Sequence, residues 1–129
     1  MNAKQTSMQA SQASSSLLRA GILLLGLFTS IVHLIILNLD HIDPLFALNG
    51  VGYLVLLAAY FLSIPILSQN RNLVRWILMA YAALTILAYL FFALSNANNI
   101  SFLGNITKLV ELGFIVLLWM DRSPRKGAS

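Results

Sequence analysis

Polar and apolar positions along this chain fall in long blocks rather than in a two-residue alternation. Apolar runs occupy about 17–39, 45–67, 73–95 and 100–120, with short polar breaks between them. A helix of roughly 20 apolar residues spans a hydrocarbon layer about 30 Å thick, so the pattern predicts four transmembrane helices. Residues 1–16 precede them as a Ser-, Gln- and Ala-rich stretch whose only charge is Lys4, expected as a mobile polar tail. Residues 121–129 form a short basic C-terminal tail.

The breaks carry their own signals. The first run is longer than the apolar core of a secretory signal, roughly 7–15 residues. It ends at Asn38-Leu39-Asp40-His41 with no small-residue cleavage pattern, so it is read as a retained span. Asp43-Pro44 opens the second run, where the missing N–H of proline is harmless in the first turn. Pro65 is expected to kink or end that helix. Asn96-Ala97-Asn98-Asn99 is a turn cluster.

Connections of roughly five residues force neighbouring helices to run antiparallel, in an up-down-up-down bundle. Lys4 and Arg19, then Arg71 and Arg75, then Arg122, Arg125 and Lys126 all fall on one face of that threading. The connections 40–44 and 96–99 hold no Lys or Arg. Positive residues stay on the cytoplasmic side, which places both termini there and those two connections outside. The expected fold is thus an all-α integral membrane protein, a multi-pass antiparallel four-helix bundle of the cell membrane.

Composition agrees. Of 129 residues, 59% are hydrophobic and 9% charged, and the mean hydropathy is +0.83. Soluble domains carry roughly 25% charged residues. The net charge of +4 is no nucleic-acid signal, because the basic residues sit at helix ends and form no stripe interleaved with aromatics. The absence of cysteine excludes disulfides, thiolate catalysis and thiolate metal sites.

The fourth run adds chemistry. Lys108 and Glu111 interrupt it one helical turn apart, and ionisable groups inside a span normally face the interior. At 1.5 Å per residue they lie roughly 10–17 Å below the outer start of their span, and His33 lies roughly 9 Å below the outer end of the first. Asn49 and Tyr53 reach similar depths on the second helix, and Thr85 and Tyr89 on the third. Steps of three and four place these residues on single helical faces, alongside Gly26 and Ser30 on the first. The candidate site is therefore an outer-half polar pocket of His33, Asn49, Tyr53, Thr85, Tyr89, Lys108 and Glu111, and the inner half is expected to be plainly apolar.

Two readings of that pocket stand side by side. Lys108 and Glu111 form a self-neutralising structural pair, or with His33 they serve a proton, ion or small polar ligand. His33 itself is either a neutral imidazole hydrogen-bonded to a neighbouring helix, or a proton relay, a metal ligand or a haem ligand. Haem ligation by His33 and His41 fails on geometry, since two residues about 12 Å apart on one helix cannot take opposite axial positions. Asp40, His41 and Asp43 offer a weak metal site in a turn. Asn49-Gly50-Val51-Gly52-Tyr53 lacks the phosphate-loop pattern, and its glycines fit close helix packing. No Ser-His-Asp order, paired-acid pattern or HExxH occurs, so no enzyme and no cofactor are expected.

In size and span count the chain resembles the small multidrug transporters, four-helix proteins that work as dimers. Their essential glutamate lies in the first span, where this chain has His33, and Glu111 lies in the fourth. The function expected from the sequence is a non-catalytic accessory or oligomer-forming membrane subunit. It would be partnered by the lipid bilayer and by copies of itself or a larger membrane complex, and not by nucleic acid. The alternative is a binder or transporter of a small solute, ion or proton using the polar pocket.

Overall fold

A computed structural model describes residues 2–121, and these are all-helical apart from short connections. The first helix, α1, covers Ala3–Leu34. It is nucleated by a reciprocal cap: Gln5 N–H donates to Asn2 Oδ1 at 3.0 Å, and Asn2 N–H donates to Gln5 Oε1 at 3.4 Å. Helix therefore runs through the segment expected as a tail, although residues 3–16 are exposed throughout. Ala, Gln, Lys and Met favour helix there, no Gly or Pro interrupts it, and the segment propagates from the apolar turns of α1 without a fresh nucleus.

α1 ends at Leu34, followed by a 3-10 turn over Ile36–Asn38. The side chain of Asn38 closes this end. Its Nδ2 donates to the carbonyls of His33 (2.7 Å) and Leu34 (3.2 Å), and its Oδ1 accepts from Asp43 N–H (2.6 Å). Carbonyls left without partners in the last helical turn are thus satisfied. Because the helix stops here, the face that carries Gly26, Ser30 and His33 does not continue to His41, which is exposed.

α2 covers Pro44–Phe61, with Asp43 Oδ1 accepting from Leu45 N–H at 2.8 Å and proline in the first turn. It stops at Phe61 rather than near residue 67. Pro65 explains the position: it has no N–H to offer the carbonyl four residues back, which belongs to Phe61, and its ring would clash there. Ile64, before the proline, is extended, and Pro65 then opens a short helix α3, Pro65–Gln69. α4 covers Arg71–Ser95, and α5 covers Phe102–Met120 with Ser101 Oγ accepting from Gly104 N–H at 2.9 Å.

The four long helices form a closed ring of contacts in which α1 lies against α2 and α5, and α4 lies against α5 and α2. Ile22, Tyr53, Leu57, Leu78, Ala82, Phe114 and Leu118 fill the centre. Gly50 brings α2 against the end of α1, since a Cβ there would sit 2.7 Å from the backbone nitrogen of Leu34. Leu24, Leu48, Leu84, Leu94, Phe102 and Leu109 face outward, whereas Thr29, Ser30, His33, Arg75, Thr107 and Glu111 are buried. This inverts the distribution of a water-soluble domain. All four helices are long and apolar enough to cross a membrane.

Candidate functional site

Glu111 is the hub. It belongs to a buried stripe on α5 of Thr107, Glu111, Phe114 and Leu118, and is completely enclosed. Its Oε2 accepts from Lys108 Nζ at 2.8 Å and faces Thr85 Oγ1 of α4 at 3.1 Å. Its Oε1 has no hydrogen-bond partner and lies 4.0 Å from Nε2 of His33 on α1. The carboxylate thus joins three helices of the ring.

Each partner is held in turn. His33 Nδ1 lies 2.9 Å from the Thr29 carbonyl, and its ring is flanked by Phe46 (6.3 Å, edge-on) and Tyr53 (6.2 Å). Tyr53 and Thr85 share a 3.0 Å hydroxyl contact. Thr85 Oγ1 also lies 2.8 Å from the Ala82 carbonyl, so its single hydrogen serves either that carbonyl or Glu111. With Tyr53 donating, the hydroxyls form a chain from α2 through α4 to the carboxylate. Lys108 is three residues from Glu111 on the same helix, and its ammonium also sits 5.6 Å from the centre of the Tyr89 ring.

Of the residues expected to meet, His33, Tyr53, Thr85, Lys108 and Glu111 come together. Asn49 and Tyr89 stand at the margin. Asn49 contributes its backbone carbonyl, which accepts from Tyr81 at 3.0 Å, and Tyr89 donates to Asn105 Oδ1 at 2.8 Å. Asp40, His41 and Asp43 do not gather as metal ligands: Asp43 caps α2, and the other two are exposed. Among the described residues no group of three His, Cys, Asp or Glu side chains could hold a metal ion.

Sequence reasoning overlooked two features. Thr29, which holds His33 through its carbonyl, is buried, and its own Oγ1 has no partner. Its position four residues before His33 was the available signal. The second feature corrects the expectation that the other half of the bundle is plainly apolar. There Arg75 is buried on α4, and its Nη1 donates to the Leu118 carbonyl at 3.0 Å while its Nη2 donates to Asn72 Oδ1 at 2.8 Å. Tyr60 donates to Asp121 Oδ2, which lies 3.9 Å from Arg71 Nη2, and the Arg71 guanidinium stacks 4.8 Å above the Tyr60 ring. Arg122, Arg125 and Lys126 of the basic tail lie outside the described residues.

The chain matches no known protein family, no curated protein and no solved structure. The site's chemistry therefore has to be read from its geometry. Its polar atoms are largely spent on one another, and the two cavities described lie elsewhere. One is an open dip on the exposed α1 face of Gln5, Met8, Gln9 and Gln12. The other, of about 260 Å³, is an apolar groove between α1 and α2 beside Leu23, Leu27, Leu54, Leu57 and Phe61.

Proposed function

We propose that this is a four-span integral protein of the cell membrane, threaded up-down-up-down with antiparallel neighbours and both termini cytoplasmic. It acts without catalysis of its own, as an oligomer-forming or accessory subunit. The observation that carries this reading is the inward closure of the polar residues: Lys108 and Thr85 both hold Oε2 of the fully buried Glu111. What remains for contact is the apolar outer surface. The basic residues Lys4, Arg19, Arg71 and Arg75 support the threading, as do the connections 40–44 and 96–99, which carry neither Lys nor Arg. Purification in mild detergent, followed by light scattering, is expected to return a homo-oligomer or a complex with another membrane protein. A clean monomer that binds a small molecule would overturn the proposal.

A second reading, a carrier of a small solute, ion or proton, is favoured by one observation. Oε1 of Glu111 is buried without a partner. In reconstituted vesicles this reading expects Glu111→Gln and His33→Ala to abolish a measurable flux while the fold persists. Unchanged flux would dispose of it.

A further inference from the structure

We propose that His33 and Glu111 together bind a single proton, held between Nε2 and Oε1 where α1 meets α5. The argument begins at Thr29, whose carbonyl can only accept a hydrogen bond, so the His33 nitrogen beside it at 2.9 Å carries a hydrogen. In a neutral ring the other nitrogen, Nε2, then has only a lone pair. That lone pair faces Glu111 Oε1 at 4.0 Å, and Oε1 has no hydrogen-bond partner in a residue that is completely buried. Two acceptors confront one another with no donor between them, an arrangement one proton converts into a charge-assisted hydrogen bond.

The surroundings select this ligand over larger ones. A gap of 4.0 Å between two heavy atoms has no room for a solute. A metal cation would find one free carboxylate oxygen beside the Lys108 ammonium, which already holds the other oxygen at 2.8 Å. From α2 the site is faced by the Tyr53 and Phe46 rings, and from α4 by Thr85, with Tyr81 behind Tyr53 at 4.9 Å. Among these groups Lys108 is the one fixed cation and Glu111 the one anion. The unprotonated cluster is neutral, and uptake takes it to a single positive charge with each carboxylate oxygen answering its own cation. The proton passes from hydronium to the Nε2 lone pair, forming the N–H bond and leaving water. His33 stands one residue before the end of α1 and keeps 4% of its surface exposed. On uptake the Nε2 to Oε1 distance closes to about 2.8 Å, which draws the end of α1 toward α5.

Binding a proton does not require carrying it across the membrane, so this inference stands apart from the carrier reading. The test uses the full chain in lipid nanodiscs with 15N-labelled histidine and His41→Gln, so that His33 alone reports. At high pH the ring is expected to be protonated on Nδ1 only, and on acidification on both nitrogens. At a pH where the two forms are equal, Glu111→Gln is expected to lower the ratio of doubly to singly protonated ring at least tenfold, and Lys108→Met to raise it. A hydrogen on Nε2 in the neutral ring would overturn the proposal. So would a ring that stays singly protonated wherever the chain is folded, or a ratio that Glu111→Gln leaves unchanged. If that variant does not fold, Glu111→Asp, which withdraws the carboxylate from Nε2, takes its place, and an unchanged ratio there overturns the proposal. Proton flux into vesicles is followed in parallel: its absence removes the carrier reading, while the ring signals still establish the site.

Discussion

Arg75 of α4 donates through Nη1 to the carbonyl of Leu118 at 3.0 Å, capping the end of α5 from the neighbouring helix. The last carbonyls of a helix have no partner of their own and carry the negative end of its dipole. Arg75→Met is expected to lower stability by about 2–3 kcal/mol, the range for buried hydrogen bonds to a charged group. Arg75→Lys should recover less than half of it, because an ammonium cannot reach Asn72 Oδ1 and the Leu118 carbonyl with the spread of a guanidinium. Unfolding in a graded detergent mixture checks both values.

Lys108 and Glu111 should respond unequally to substitution. The Lys108 side chain is 13% exposed and that of Glu111 is 0%. Freed of its partner, Lys108 can extend toward the surface, whereas Glu111 cannot. Lys108→Met is therefore expected to cost about 3 kcal/mol and Glu111→Gln about half that, with the double variant better than the sum of the two. A double-mutant cycle on unfolding free energy measures the coupling, expected at about 1–2 kcal/mol.

Glycines on the two sides of the bundle should also behave differently. A Cβ at Gly50 would lie 2.7 Å from the backbone nitrogen of Leu34, which cannot swing away as a side chain can. Gly50→Ala is expected to cost about 2–3 kcal/mol by forcing α1 and α2 apart. At Gly113 the nearest atom would be 3.5 Å away, an ordinary contact, so Gly113→Ala should gain up to about 1 kcal/mol from helix propensity. Thermal unfolding of the two variants in one detergent compares them directly.

The proposed orientation can be read from single cysteines, since the chain has none of its own. Cysteines at Asp40 and Asn98 are expected to react with a membrane-impermeant maleimide on intact cells. Cysteines at Gln5 and Ser68 should react only after the cells are opened. The reverse pattern would invert the threading, and a mixed one would break it.

How much of this was readable beforehand depends on which stripe is followed. Block hydropathy marks the four long helices, and steps of three and four place His33, Tyr53, Thr85 and Glu111 on faces that can meet. The same rule, followed further, contains the other polar cluster. On α4 the stripe runs Arg75, Leu78, Ala82, Thr85, and on α5 it runs Thr107, Glu111, Phe114, Leu118 and ends beside Asp121. Arg75 and Asp121 were hidden because charges near span ends are read as orientation markers rather than as core. Asn38 marked the end of the first run, but its bonds to the His33 and Leu34 carbonyls were hidden because α1 stops at Leu34, four residues earlier. Nor could spacing reveal that Oε1 of Glu111 lacks a donor, because this follows from which rotamers the packed neighbours allow.

The early stop of α2 at Phe61 reaches beyond the bundle itself. Its 18 residues measure about 27 Å along the axis, while the 25 residues of α4 measure about 37 Å. The 19 residues of α5 measure about 28 Å, and the two short helices, α2 and α5, lie on opposite sides of the ring. Both nearly match a hydrocarbon layer of about 30 Å, while the longer α4 would carry its polar first turn, with Arg71 and Asn72, beyond that layer. By ending α2, Pro65 leaves this helix near the shortest length that crosses a bilayer, with little slack for tilt.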